Sequence, residues 1–524
     1  MKNYFGNKWL VLVAASLGLF LVVVDSTIVN ISIPAMIAGL GTDLPHVEWV
    51  LNSYTLVFAA LLIPAGRLGD MFGRKRVFLI GLALFGVFSA ACGLAPTITL
   101  LIVARVLQAV GAAAMMPATL SLVQVSFPPS QRGTAFGIWA ALSGFGIGIG
   151  PTLGGFLMQY NWRYIFYVNV PIVVAAFAFT ALVVPESRDE NQHAIDWMGA
   201  TLWVAALTAF NYAVIQGPAA NWLGAIPWLF VAAVLFLVGF LWWESRASEP
   251  MMEISLFREP AFSAGNAAMA TLLFGMVGSF FLIPLYLQDG LGFSALRTGL
   301  ALAPIALVLM TVGPIAGNLS DRIDPRLLVG VGMLVVSAAL FWVSTVGTTV
   351  TPGSLLAPFI VLGIGAGLAI SPMTNLVMRT VPSEYAGAAS GMLSTSQRVG
   401  AVLGVAVLGA ILQVSLSSAL VTGLGGVSGV SPVVAQRIVA ADKASRAGLV
   451  GGGAGLQASL KGSGLSASEQ TLLAPQLVAL ARQAFTQAMA LAMRVAAAVV
   501  FAAAMLTLLV KPQGVARDVP GPSV

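Results

Sequence analysis

Charge is scarce in this chain. Of 524 residues, 25 are Lys or Arg and 19 are Asp or Glu, 8% in all, against 58% hydrophobic. A water-facing globular surface carries about 25% charged residues, so a soluble fold is excluded and much of the surface must face lipid. The single cysteine, Cys92, rules out a disulfide framework and, falling inside an apolar stretch, is expected to be a buried structural thiol. The two histidines, His46 and His193, both fall between apolar stretches and leave no metal cluster to expect. No Gly-x4-Gly-Lys-Ser/Thr segment is present, so ATP is not the expected energy source, and no cofactor is expected. No Ser/His, His-Glu or paired-carboxylate constellation lies within the apolar stretches, so the chain does not read as an enzyme. The net charge of +6 could suggest nucleic acid, but the basic residues sit between apolar stretches, which is the pattern of membrane-orientation signals.

Long apolar runs are abundant. A membrane-crossing helix needs about 20 apolar residues. Fourteen such stretches are present, at about 9–34, 49–66, 77–95, 98–124, 134–158, 163–184, 197–216, 225–243, 262–287, 297–317, 327–347, 354–378, 388–413 and 485–510. The first is too long for a signal-peptide core and lacks a small-residue cleavage site, so it reads as a retained span. An even number of spans puts both termini on one side. Lys8, Arg74, Lys75, Arg76, Arg132, Arg246, Arg322, Arg326, Arg379 and Lys511 fall on that side, while the short loops opposite hold only Arg163 and Arg297. The expectation is a multi-pass protein of the inner (plasma) membrane with both termini cytoplasmic. The loop at about 414–484 is placed outside. Its middle, Gly448 to Gly464, reads as a flexible linker, and Ser466 with Glu469 as a capping box. It is either a tethered surface hairpin or a lid or docking element for a periplasmic adaptor or lipoprotein.

The chain is duplicated. Gly66-Arg-Leu-Gly-Asp70 returns as Gly317-Asn-Leu-Ser-Asp321, 251 residues later. Gly133, Gly137, Gly146 and Gly150 return as Gly387, Gly391, Gly400 and Gly404, each 254 residues later. An offset of this size fits six spans, an inserted pair and six more: 1–190, 191–255 and 256–524. Two such halves suit alternating access, one rocking against the other about a central site. The fold class is therefore an all-α integral membrane protein.

Asp25 sits within the first span. A carboxylate at that depth costs about 2.5–3.5 kcal/mol on insertion scales, and folding alone gives no reason to keep it. Moving a proton or a cation across the membrane does. Arg105 is the natural partner, lying at similar depth in the fourth span. A static buried ion pair is the competing reading. Arg398 and Arg494 are two more costly charges, and Glu244 sits at a span end where water is expected to reach it.

At this point the chain resembles the major facilitator superfamily, most closely its fourteen-span drug:proton antiporter branch. Gly66-Arg-Leu-Gly-Asp70-Met-Phe-Gly73-Arg74-Lys75-Arg76 fits the loop signature between spans two and three. Arg105-Val-Leu-Gln108 with Gly111 fits the span-four motif, with Ala109 where the family usually has Gly. Gly146, Gly150, Pro151, Gly154 and Gly155 fit the antiporter motif of span five. Asp25-Ser-Thr-Ile-Val-Asn30 and Trp162-Arg-Tyr-Ile-Phe-Tyr-Val-Asn169 fit motifs of spans one and six.

The resemblance implies a major facilitator fold and a proton-coupled antiporter exporting lipophilic, cationic small molecules such as drugs, antiseptics and dyes. Its partners are then substrate, protons and the lipid bilayer, with no nucleic acid. It implies proton coupling by Asp25 and Arg105 and a latch between the halves at Gly66, Asp70, Gly73 and Arg74. The antiporter glycines are expected to make a tight sliding contact across the halves. Asn30, Tyr54, Trp139, Phe274, Asn375 and Arg398 are candidates for the substrate cavity. A dedicated exporter of an envelope lipid or self-made antibiotic is the alternative, and a non-transporting scaffold or sensor is the alternative of another class.

Overall fold

The structure, a computed structural model, describes residues 7–42, 44–188, 196–217, 220, 222–247, 250, 252, 254–287, 291, 293, 295–347, 352–382, 385–424 and 467–509. Among them no strand occurs, and fourteen helices are long and apolar enough to cross a membrane. The first group is α1 (Lys8–Ile31), α2 (Ile33–Leu40), α3 (Leu44–Phe72), α4 (Arg74–Leu94), α5 (Ile98–Ser126), α6 (Pro129–Met158), α7 (Tyr164–Tyr167) and α8 (Asn169–Val183). The pair α9 (Trp197–Gln216) and α10 (Ile226–Glu244) follows. The last group is α11 (Pro260–Leu285), α12 (Ala295–Ser320), α13 (Pro325–Ser344), α14 (Pro352–Met378), α15 (Ala386–Leu424) and α16 (Ala467–Leu509). The short α2 is an extension of α1, and α7 with α8 makes one span.

Local chemistry sets the helix starts. Asn7, Thr97, Asp196 and Asp324 accept backbone N–H groups of the first turns of α1, α5, α9 and α13. Pro129, Pro260 and Pro325 stand in first turns, where a missing N–H is harmless. Between α3 and α4 the chain turns at Gly73, whose φ of 106° suits glycine and little else.

Packing repeats with the sequence. A carbon added at Gly111 of α5 would lie 2.8 Å from the carbonyl oxygen of Gly81 in α4, and one at Gly365 of α14 would lie 2.8 Å from that of Gly332 in α13. Gly146 and Gly150 of α6 lie against Val23 and Thr27 of α1, as Gly400 and Gly404 of α15 lie against Ala270 and Phe274 of α11. Small residues let membrane helices close on one another where no hydrophobic drive exists.

The inserted pair leans on the first group through α9, with Trp49 and Tyr212 ring centroids 5.6 Å apart, and α10 packs on α9 through Trp203 and Phe240 at 5.2 Å. Glu244 departs from expectation. It is buried rather than solvated and accepts the Met252 N–H at 3.2 Å, because the chain after α10 folds back over it.

The proposed ends of the 414–484 loop also need correction. Helix α15 runs 39 residues to Leu424, and α16 begins at Ala467. Leu408, Leu412, Leu416, Leu420 and Leu424, four apart, form a buried stripe that continues past the apolar run. On α16 it is met by Leu480, Ala484, Phe485, Ala488 and Met489. Interleaved Gln413, Ser415 and Ser417 end the hydropathic signal while the helix goes on. Residues 425–466, with the Gly-rich stretch and Ser466, lie outside the described residues.

The crossing at Gly111 tests the packing. An added methyl would lie 2.5 Å from the Phe85 backbone nitrogen, which cannot move aside as a side chain can. Gly111→Ala is expected to cost about 1–3 kcal/mol or more and to lower the melting temperature of the detergent-solubilised protein. Gly299→Ala, where nothing lies within 4 Å, is expected to leave it unchanged or raise it slightly.

Candidate functional site

Asp25 is fully buried where α1 meets α5 and α8. Arg105 donates from Nη1 to Asp25 Oδ2 at 2.6 Å and to Gln108 Oε1 at 2.8 Å, and its guanidinium lies 4.0 Å from the centre of the Tyr54 ring. The second carboxylate oxygen, Oδ1, accepts Gln108 Nε2 at 3.1 Å and Asn169 Nδ2 at 3.0 Å. Asn169 is steadied by Ser89 Oγ at 3.1 Å, which itself donates to the Phe166 carbonyl. Asp25 and Arg105, paired from the sequence, are thus brought together. Gln108 and Asn169 complete the site; both end motifs recognised in the sequence, but their side chains carry no charge to single them out. A proton arriving at Oδ2 would compete with Arg105 for the same oxygen.

Two clamps join the halves at the face where α1 begins, called here the basic face. Asp70, at the end of α3, accepts the N–H groups of Gly387 and Ala388, both at 2.9 Å, at the start of α15. Arg74 donates to the same carboxylate at 2.7 Å. Gly66 makes the approach possible, since its backbone lies directly against that of Gly387. The symmetry mate is Asp321, which accepts Gly133 N–H at 2.7 Å, Thr134 N–H at 3.0 Å and Thr134 Oγ1 at 2.9 Å in the second turn of α6. At the first turn of α15, Asp70 meets free N–H donors and the positive end of the dipole, whereas Asp321 bonds one turn further into its helix. Asp321 was visible in the repeat as the counterpart of Asp70, yet only the first copy looked like the family's loop. Around the clamps, Gln124 of α5 donates to the carbonyls of Met378 and Val381 at 3.1 Å, and Ser390 of α15 donates to that of Pro117 at 2.9 Å.

Behind the first clamp stands Glu186, another residue the sequence did not flag. Its carboxylate accepts the N–H groups of Lys75 and Arg76 at 3.1 and 3.2 Å and so caps α4. A side chain at Gly73 would run into it.

The antiporter glycines require a correction. Gly146, Gly150 and Gly154 face α1 within their own half, against Val23, Thr27 and Ile28. The glycines of α6 that face α12 across the halves are Gly133, Gly137, Gly144 and Gly148, on the opposite side of the helix. Spacing alone does not say which neighbour a small-residue stripe meets. The motif therefore holds the helix that carries Asp25. Gly155 has nothing within 4 Å, and the side chain of Pro151 lies outside the described ones.

Of the cavity candidates, Tyr54 and Arg398 fall at the interface of α3 and α15. Tyr54 stacks on Phe58 at 5.9 Å, and Arg398 lies 4.4 Å from the centre of the Phe58 ring. Trp139 is buried between α6 and α5, donating to Thr119 at 3.2 Å. Phe274 packs on the core of the last group, its backbone against Gly404. Asn375 serves the second clamp instead, donating to Ser320 Oγ at 3.0 Å. The side chain of Asn30 is not among those described. Arg494 is exposed on α16. Among the described residues no group of His, Cys, Asp and Glu could hold a metal ion.

A family model described as Major Facilitator Superfamily matches residues 15–405. The multidrug resistance protein Stp of Mycobacterium tuberculosis is 37% identical over 79% of this chain and 78% of its own length. The tetracenomycin C resistance and export protein of Streptomyces glaucescens is 36% identical over 78% of this chain and 76% of its own. The solved structure of the human organic anion transporter MFSD10 (TETRAN) has the same fold, with a TM-score of 0.59 at 14% identity, covering 94% of this chain and 99% of that one.

Hydrogen bonds to a charged group contribute about 1.5–3 kcal/mol each, so breaking both clamps is expected to favour opening of the basic face at least tenfold. The readout is the rate at which a membrane-impermeant maleimide labels a cysteine placed at Ser390, in a Cys92→Ser background. The double variant Asp70→Asn with Asp321→Asn should label at least ten times faster than the parent, and each single variant should fall between. Equal rates would show that the clamps do not hold that face closed.

Proposed function

The chain belongs to the Major Facilitator Superfamily, and on that premise we propose that it is a proton-coupled antiporter exporting lipophilic small molecules by alternating access. The observation that carries this reading is the enclosed cluster around Asp25. A carboxylate about 26 Å along α1 from Lys8 has one oxygen held by Arg105 and the other by two amides. Protonation of Oδ2 displaces Arg105, whose guanidinium then shifts against Tyr54 and so against α3. Substrate binding reverses the exchange. A static ion pair is the weaker reading, since buried pairs are poor stabilisers compared with apolar packing.

The moving bodies are residues 1–190 and 256–524, with 191–255 riding on the first. Clamped at the basic face, the chain is in the state that opens away from it. On this reading the membrane is the cell's inner (plasma) membrane and the basic face is cytoplasmic, an orientation that the distribution of Lys and Arg supports. Proton entry drives export, each charge being worth about 2.3 kcal/mol per 100 mV.

Between the alternatives of an envelope lipid and a self-made antibiotic, the name of the tetracenomycin C resistance and export protein favours an antibiotic. A non-transporting scaffold has no use for a completed donor set around Asp25.

The test is dye movement in proteoliposomes under an imposed pH gradient. Asp25→Asn is expected to lower pH-driven flux more than tenfold while leaving folded protein to purify. Because Arg105 loses its counter-charge, a destabilisation of up to about 3–5 kcal/mol should accompany the change. Undiminished pH-driven flux in Asp25→Asn would remove the coupling role.

A further inference from the structure

Arg398 has no counter-charge among the described residues. Among the described residues no carboxylate lies within ion-pair distance of it, and none of its N–H donors is taken by a hydrogen-bond acceptor. Its one described partner is the face of the Phe58 ring. It stands twelve residues into α15, about 18 Å along the helix, close to the middle of a hydrocarbon core about 30 Å thick. It is only part-buried.

The direction it faces follows from its helix. Gly387 and Gly391 lie against α3 at Gly66 and Leu62, and Arg398 continues that side of α15 to Phe58. The guanidinium therefore sits between the two halves, above the sealed glycine crossing and beside the aromatic pair that backs onto Arg105. Arg105 shows what a satisfied arginine in this protein looks like, with a carboxylate, an amide oxygen and an aromatic face. Arg398 has the aromatic face alone.

Unmet polar atoms gather near it. Ser394 Oγ and Thr395 Oγ1, one turn earlier on α15, are buried with no hydrogen-bond partner among the described residues. Hydroxyls can donate to an anion or accept from a cation, so the unpaired guanidinium sets the sign: the place suits an anionic oxygen and repels a cation. Asp25, whose charge would suit a cationic ligand, is enclosed by its own donors.

We propose that Arg398 is the group that recognises substrate charge: the exported molecule carries an ionised acid, a carboxylate or phenolate, on a lipophilic body, and the acid pairs with Arg398. This rests on the exporter reading and replaces the expected cationic substrate with an anionic one. Exchange of one proton inward for one monoanion outward moves net charge, so export then responds to membrane potential as well as to pH, whereas exchange for a monocation does not.

Fluorescein and rhodamine 6G share a xanthene frame and differ in the sign of their charge. Binding of each to the full-length protein in nanodiscs, followed by fluorescence polarisation, tests the assignment. The wild type is expected to bind fluorescein. Arg398→Gln should weaken that binding at least tenfold, about 1.4 kcal/mol, and Arg398→Lys should retain most of it. Rhodamine 6G should bind Arg398→Gln at least as well as the wild type, which also shows that the variant is folded. Unchanged fluorescein affinity in Arg398→Gln, equal weakening of both dyes, or a wild type that binds rhodamine 6G alone would each overturn the proposal. Charge-selective binding without pH-driven movement of either dye would uphold the site and count against the exporter reading.

Discussion

A carboxylate cannot stand alone in hydrocarbon, and the arrangement around Asp25 follows from that constraint. Arg105 supplies the charge, Gln108 and Asn169 supply the remaining donors, and each draws its helix toward α1. Glycines at 146, 150 and 154 let α6 close from the other side. Tyr54 under the Arg105 guanidinium then fixes the outer part of α3, and Phe58 extends that contact to Arg398 in the opposite half. A change in the ionisation of one group has a continuous path of packed side chains to the surface between the halves. Its neighbours are discrete in their options, since a guanidinium either bonds a carboxylate oxygen or does not.

The duplication divides the labour. Backbone-to-backbone crossings are repeated in both halves, at Gly81 with Gly111 and at Gly332 with Gly365. The clamps are repeated too, Asp70 bonding the first turn of α15 and Asp321 the second turn of α6. Each clamp joins a carboxylate of one half to the opening turns of a helix of the other. The buried charges break the symmetry. Asp25 and Arg105 belong to the first half and Arg398 to the second, which places a neutral pair and a lone cation on opposite sides of the same gap.

Much of this was legible in the chain. Hydropathy located all fourteen spans, because the membrane demands a long apolar run whatever else a helix does. Asp25 and Arg105 stood out because charge in such a run is rare, and Asp70 and Gly73 because the loop signature is distinctive. Gln108, Asn169 and Glu186 did not, since a neutral amide or a loop carboxylate is unremarkable until its partners are known. The facing of Gly146 and Gly150 was misjudged because a small-residue stripe encodes closeness and not the identity of the neighbour. The ends of α15 and α16 were misplaced because apolar content falls at the membrane edge, while a leucine every fourth residue keeps the helices paired beyond it.

That continuity has a mechanical result. At about 1.5 Å per residue, α15 is some 58 Å of unbroken rod, nearly twice the thickness of the oil layer it pierces. One end is pinned by Asp70, Arg398 stands about a third of the way along, and the far end is braced against α16. It is a lever with its fulcrum inside the membrane. A sideways push on the tip beyond the apolar run is carried along one continuous helix to the end held by Asp70.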